Sequence, residues 1–317
     1  MKELIQEVMQ YYFTEPVTRH EILRDENRLV AEVEVDGAIY FLKGEKAPAS
    51  FIESIIEFTK IMNNAGLPFI VPEKTIEGNR YVEHEGLHFI LEQKGNGKEL
   101  KRLRLSHIRE SGKMLGMQHA ISSTTDFRFN TGTSWGMFGG NETDAFGDYD
   151  ENELSYLDLI RSINEDETFK AELTTVKELY KSRRLQLKKL WNTLPSGPIQ
   201  GDLCPYNLLF QGDHISGVFD YNIAGDEVLI NECIGVAVFL AWHYDFDGTE
   251  TPEERYHAYI DAYTSERPLS NREMEMVPHL FAIIRAFRYD RIEEGIEKIK
   301  QGHGKVFLDK TIQLLQG

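Results

Sequence analysis

Three side chains within one short stretch have the types and spacing to do chemistry together. In residues 197–220, Asp202 lies in a loop, Asn207 follows five residues later, and Asp220 comes thirteen residues after that. Carboxylate and amide oxygens are hard ligands of the kind Mg²⁺ prefers while it keeps several waters. A further carboxylate can orient an attacking hydroxyl and accept its proton. Phosphoryl transfer from a nucleotide needs both. An Asp-x4-Asn pair alone is common by chance, and a plain turn whose Asp and Asn cap local backbone groups would use the same residues. Here, however, Pro205 lies between the two. The apolar strand Leu208-Leu209-Phe210 follows, and a second strand, Val218-Phe219, ends at Asp220.

Elements able to position such residues can be read along the chain. Over 28–35, Leu29, Ala31, Val33 and Val35 alternate with mostly polar neighbours, the period-2 pattern of a strand. Asp36-Gly37 is a two-residue turn signal that calls for positive φ, and 38–43 forms the return strand. Residues 20–43 thus read as a β-hairpin ending at Lys43. Ile52, Ile55, Ile56, Thr59 and Met62 mark one face of a helix, which Gly66 and Pro68 stop. Two strand-like runs, 79–83 and 87–92, precede a loop at 93–97. Beyond it the patterns are mainly helical. A helix ending near Ala120 carries Ile108, Gly112, Leu115 and His119 on one side, a glycine-rich loop covers 130–150, and acidic helices are expected over 153–191.

Gly201, Asp202, Asn207, Asp220 and Tyr221 together resemble the catalytic block of the aminoglycoside phosphotransferase and choline kinase family, distant relatives of protein kinases. That block reads His-Gly-Asp-x4-Asn, then a hydrophobic strand, then an Asp beside an aromatic. The resemblance spans roughly residues 18–245 and implies an α+β, bilobal protein-kinase-like fold. Its small antiparallel-sheet lobe would be residues 1–93, binding nucleotide, and its larger, mainly helical lobe would be 94–317. It further implies Mg²⁺ and ATP as cofactors, Asp202 as catalytic base, and Asn207 and Asp220 as metal ligands. Lys43 would grip phosphates, with a glutamate from the following helix as partner. Glu53 and Glu57, one turn apart on one face, are both candidates, and spacing does not choose between them. Leu91-Glu92-Gln93-Lys94-Gly95 resembles the hinge whose backbone meets adenine, and Phe41, on the same strand face as Lys43, would stand near it. His119 has a structural role in this scheme.

The chain departs from the family pattern at four places. Gln200 replaces the usual His, although an amide can also brace a loop. The first loop, 23–28, lacks glycine, so close backbone approach to phosphates is not provided; Asn27 matches an asparagine frequent there. Phe41 is large for a residue near adenine. Asn231-Glu232 stands where an Asp is usual, with Glu232 the nearer acid.

Bulk properties bound the alternatives. A chain of 317 residues, 41% of them hydrophobic, is globular and long enough for two lobes. The apolar run 233–242 has ten residues, against about 20 for a membrane span, so it reads as a buried helix. Residues 1–12 contain Glu3, Gln6 and Glu7 and lack the apolar centre of a signal peptide. Two cysteines give no disulfide framework. A cytoplasmic location is expected. The net charge of −17 opposes nucleic-acid and membrane-surface binding. That charge gathers in two places: residues 141–173, with eleven acids against Arg161 and Lys170, and 244–254, with five acids. A solubilising surface explains such clusters; in this family they also suit a cationic, hydroxyl-bearing small-molecule acceptor such as an aminoglycoside, choline or another amino alcohol. Two alternatives stand beside this one. Regions 50–72 and 280–292 are similar to homoserine kinases of this fold. A catalytically silent binding protein would fit the glycine-free loop, but not the retention of Lys43, Asp202, Asn207 and Asp220. The sequence carries no signal of oligomeric state.

Overall fold

The computed structural model describes residues 2–26, 28–139, 149–163 and 167–317. Asn27 and the centre of the glycine-rich stretch, 140–148, lie outside them. The chain forms two compact units: Met1–Lys101 with Pro205–Tyr221, and Arg102–Cys204 with Asn222–Gly317.

The first unit opens with helix α1 (Lys2–Met9), followed by β1 (Arg19–Arg24), β2 (Leu29–Val35), β3 (Ala38–Glu45), α2 (Ala49–Asn64), β4 (Val82–His84) and β5 (Leu87–Gln93). The strands make one antiparallel sheet in the order β1-β2-β3-β5-β4. In β2 the alternate residues Leu29, Ala31, Val33 and Val35 are buried, and they pack with Leu4, Ile5, Val8 and Met9 of α1. The Asp36-Gly37 turn has the two positive φ angles its sequence calls for, 48° and 75°. A second turn of that kind, Glu85-Gly86, joins β4 to β5. The expected hairpin over 20–43 is the centre of a three-strand meander, because 19–24 is long enough to pair along β2. Helix α2 buries Ile52, Ile55, Ile56, Phe58, Thr59 and Met62, the periodic face read from sequence.

The second unit contributes α3 (Leu105–Ser122), α4 (Glu151–Ile163), α5 (Lys170–Leu190) and β6 (Ser196–Ile199). The chain then returns to the first unit for β7 (Leu208–Gln211) and β8 (His214–Val218). Back in the second unit come β9 (Gly225–Val228), α6 (Leu229–Val238), α7 (Pro252–Glu266), α8 (Asn271–Ala286), α9 (Tyr289–Lys300) and α10 (Gly304–Gln316). The apolar run 233–242 is α6 and one π-helical turn, Phe239–His243, with Cys233, Ile234, Ala237, Val238, Leu240 and Ala241 buried. Among the described residues no helix is long and apolar enough to cross a membrane. The expectation of acidic helices over 153–191 holds for only one of two. Helix α4 is acidic at its start, whereas α5 carries Lys170, Lys177, Lys181, Arg183, Arg184, Lys188 and Lys189 against Glu172 and Glu178. Acids crowded into 142–167 conceal the reversal when the window is read as a whole.

Candidate active site

Asn207 and Asp220, whose side-chain oxygens are of the kind that can ligate a metal, sit at the open end of the β7–β8 hairpin. Its two-residue turn places positive φ on Gly212 (61°), and its last register pair is Leu208 with Val218. One step further, Phe219 N donates to Asn207 O at 3.1 Å, so Asn207 and the residue before Asp220 are neighbours. Asp220 adopts a left-handed backbone, φ 61°. Few non-glycine residues do so, Asp and Asn being the commoner ones, and such conformations cluster at functional positions. Tyr221 anchors the far side: it is buried, stacks on Phe69, and its hydroxyl donates toward Val218 O and Ile70 O. Among the described residues no group of three or more His, Cys, Asp or Glu could cage a metal. Two hard oxygens at a strand end fit a cation that fills its shell with phosphate and water, as Mg²⁺ does.

The charged groups of the β-sheet in the same unit follow from strand register. In β3, Phe41 and Lys43 lie opposite Glu92 and Ile90 of β5, so all four share one face and Glu92 is the diagonal neighbour of Lys43. Lys43 Nζ donates to Glu92 Oε2 at 2.7 Å, with the carboxylate 2% exposed. Gln93 lies opposite Tyr40 on the other face, and the ammonium of Lys94 stands 5.8 Å from the Phe41 ring. Neither expected helical glutamate meets Lys43. Glu53 is exposed, and Glu57 accepts from Arg80 at 3.4 Å. Glu92 needs no helix to bring it to Lys43, because the adjacent strand already supplies it. Sequence reading treated Glu92 as hinge backbone; an acid closing the apolar run 89–91 was the missed signal. Arg28 was missed altogether. Its Nη1 and Nη2 donate to Asp220 Oδ1 and Oδ2, each at 3.0 Å, and Nη1 lies 3.7 Å from Glu45. Burial raises the Glu45 carboxyl; Arg28 works against this, Asp220 with it, Lys43 against, and Glu92 with it. These charges form one network.

Asp202 lies in the second unit, on a loop held by its own backbone. Gly201 has φ 87°, and a Cβ there would fall 2.5 Å from Ile223 O, so only glycine fits. Its N–H donates to Glu232 Oε1 at 3.0 Å and its carbonyl accepts from Trp135 Nε1 at 2.8 Å. Asp202 N donates to Gln200 Oε1 at 2.7 Å, with Gln200 fully buried. The amide thus takes up loop bracing where the family has His. Glu232 continues inward to His119 Nε2 at 2.7 Å, His119 Nδ1 meets the Tyr263 hydroxyl at 2.8 Å, and that hydroxyl accepts from Arg267, which also donates to Glu273. Burial pushes Glu232 up to about 8, Asp202 adding to it against the Gly201 amide, and burial holds His119 well below its usual range. Burial thus favours the neutral form of each. His119 is structural, as expected. Cys204 and Cys233 are both buried.

Around Asp202 lies a mixed-charge cluster. Glu151 is raised by burial; Arg288 opposes that, while Asp290, Asp150 and Asp202 reinforce it. Burial would also raise Asp290, but a hydrogen bond from His243 and the Arg288 charge outweigh it and hold Asp290 well below the usual carboxylate range. Arg288 Nε donates to Asp290 at 3.0 Å, and its guanidinium covers the Phe239 ring at 4.7 Å. Of the two acidic clusters in the sequence, the first supplies Glu151 here and Asp150, which accepts from Glu153 N at the start of α4 and pairs with Arg184 at 2.6 Å. The second spends Glu254 on capping α7 with Thr251, and Glu250 on the Thr249 amide.

Comparison with known proteins identifies the family. The family model described as "Phosphotransferase enzyme family" matches residues 10–269. The chain is 38% identical over 96 residues to a homoserine kinase of Bradyrhizobium sp. (strain ORS 278), covering 30% of this chain and 28% of that one. It is 29% identical over 186 residues to a homoserine kinase of Rhizobium rhizogenes (strain K84), covering 58% and 50%. The chain therefore spans between about a quarter and a half of the curated relatives it matches. Among solved structures it resembles an amicoumacin kinase in complex with AMP-PNP, Ca²⁺ and Ami, with TM-score 0.66, 15% identity, and 98% and 93% of the two chains covered. It also resembles a microcompartment-associated aminopropanol kinase, with TM-score 0.65, 15% identity, and 100% and 94% covered. At such identities these two establish the protein-kinase-like fold alone. Since the family model runs through most of both units, this chain belongs to the phosphotransferase enzyme family.

Proposed function

We propose that the protein transfers the γ-phosphoryl group of ATP, with Mg²⁺, to a hydroxyl of a small amine-bearing molecule in the cytoplasm. Asp202 aims the acceptor hydroxyl and takes its proton as the oxygen bonds to phosphorus and ADP leaves. Lys43, held by Glu92, grips the phosphates. Asn207 and Asp220 hold the metal, which when bound offsets phosphate charge. Residues 1–93 act as the nucleotide lobe, with the backbone of Glu92 and Gln93 toward adenine and Phe41 beside it, and 94–317 as the catalytic and acceptor lobe. The observation that supports this best is the double bracing of the Asp202 loop, by Gln200 on one side and Glu232 on the other. Of the nearby acids, Asp150 is paired with Arg184 and Asp290 with Arg288 and His243, so Glu151 is the one that favours an ammonium on the acceptor.

A second reading, a homoserine-like amino-acid alcohol, is favoured by Arg288. Only its Nε is engaged, by Asp290, and its terminal nitrogens donate to no described residue, which suits a carboxylate. Measuring ADP release with amino alcohols, aminoglycosides and homoserine tests both. Turnover surviving intact in Asp202→Asn would remove Asp202 from the mechanism. An Arg288→Ala variant that loses affinity only for acceptors bearing a carboxylate would select the second reading.

A further inference from the structure

The loop at 23–28 has no glycine to bring backbone amides against phosphates, yet the residue that closes it is an arginine aimed at the metal-binding hairpin. Both terminal nitrogens of Arg28 meet both oxygens of Asp220 at 3.0 Å, the fork-on-fork geometry of a strong pair. Its Nε is buried with no partner among the described residues, as is Glu92 Oε1 on the carboxylate that holds Lys43. Buried polar atoms left unpaired call for an explanation, and a bound ligand is one. Arg28, Lys43, Glu45, Glu92 and Asp220 carry two positive and three negative charges in one unit, so the set can accept a further cation.

A guanidinium spanning both oxygens of a carboxylate occupies the ground a divalent cation needs. The two positive groups also repel, so they cannot both sit there without cost. We propose that Arg28 is a phosphate-binding residue that holds Asp220 until a divalent cation replaces it, then turns its freed donors to the nucleotide phosphates. Side-chain donors thereby stand in for the missing glycine-loop amides. The assignment rests on the reading of Asp220 as a metal ligand, and it makes two demands of opposite sign. Without nucleotide, Arg28 must weaken metal binding. With nucleotide, it must strengthen phosphate binding. A purely structural ion pair would do neither.

The test uses the full chain and Mn²⁺ as the metal probe, following free Mn²⁺ by electron paramagnetic resonance, with calorimetry of ADP at saturating Mn²⁺ as the second readout. Arg28→Gln should bind Mn²⁺ about tenfold more tightly than wild type in the absence of nucleotide, and ADP at saturating Mn²⁺ about tenfold more weakly, the size of one charge-assisted contact. Arg28→Lys, which keeps charge but not the fork, should fall between for both and serves if the glutamine variant does not fold. Mn²⁺ affinity unchanged or lowered in both variants overturns the proposal. Asp220→Asn separates the layers: if Mn²⁺ binds with nucleotide and Asp220→Asn abolishes it while the Arg28 variants change nothing, only the Arg28 role fails. If no protein binds Mn²⁺ even with ATP, the metal reading fails and takes this one with it.

Discussion

Two charged networks in this protein have been built in opposite ways. In the second unit, Glu232, His119, Tyr263, Arg267 and Glu273 form a buried relay whose polar ends all find partners, running from the capped start of α8 to the Asp202 loop. In the first unit, Arg28, Lys43, Glu45 and Asp220 are partly exposed around the buried Glu92, and two atoms of the set have no partner among the described residues. A satisfied low-dielectric network resists rearrangement, whereas an incompletely satisfied one on long side chains can exchange partners. The contrast assigns rigidity to the loop that would aim the acceptor and adaptability to the groups that would meet nucleotide.

The contrast can be broken at several points. The largest effect belongs to Asp202→Asn, expected to lower turnover by roughly 10⁴-fold in steady-state assays, since aiming the hydroxyl and accepting its proton are each worth about 10²-fold or more. Unchanged nucleotide affinity in the same variant would keep the two networks separate. Next comes Glu232→Ala, which leaves the Gly201 amide and His119 Nε2 unpaired and opens a cavity. A loss of about 3 kcal/mol in urea unfolding is expected, with kcat falling more than KM changes; a variant as stable as wild type would contradict the rigid relay. Glu92→Gln should weaken Mg-ATP binding about tenfold by calorimetry, because Lys43 loses its charge-assisted partner. Stability should also depend on pH. The carboxyls of Glu232 and Glu227, raised to about 8 and about 7, mainly by burial, hold protons more tightly when folded. They therefore stabilise fully below pH 4.5, and that contribution declines as pH rises toward 7 and 8, by at most about 1.4 kcal/mol per pH unit for each group. Glu232→Gln should flatten its share of the slope; an identical slope would argue against a neutral Glu232. The smallest effect is expected for Glu53→Ala and Glu57→Ala, within about 0.5 kcal/mol of wild type as exposed substitutions, with nucleotide affinity unaltered.

How much of this was legible in the sequence depended on whether local pattern or register carried the information. Local pattern gave the alternation of 29–35, the Asp36-Gly37 turn, the buried face of α2 and the Asn207–Asp220 hairpin, because each is decided within a few residues. What it missed required strand pairing. That Glu92 and not Glu53 or Glu57 meets Lys43 follows from β3 lying beside β5, across the whole of α2, and spacing along one segment cannot reveal it. Arg28 reaches Asp220 over 192 positions, beyond any periodicity. Gln200 was legible as a tolerable brace because its chemistry, one acceptor within reach of the amide two residues on, is local.

The way the chain leaves and rejoins its first unit bears on inheritance. Ile70 and Lys98 tie the β7–β8 hairpin to the sheet-bearing segment through backbone bonds with Val218 and Phe210, so a gene fragment ending at codon 101 would encode a half that has lost this hairpin. Shuffling by a single crossover cannot trade this unit between relatives. The two halves must evolve as one transcript, and specificity is free to drift chiefly in the helices that no such return strand interrupts.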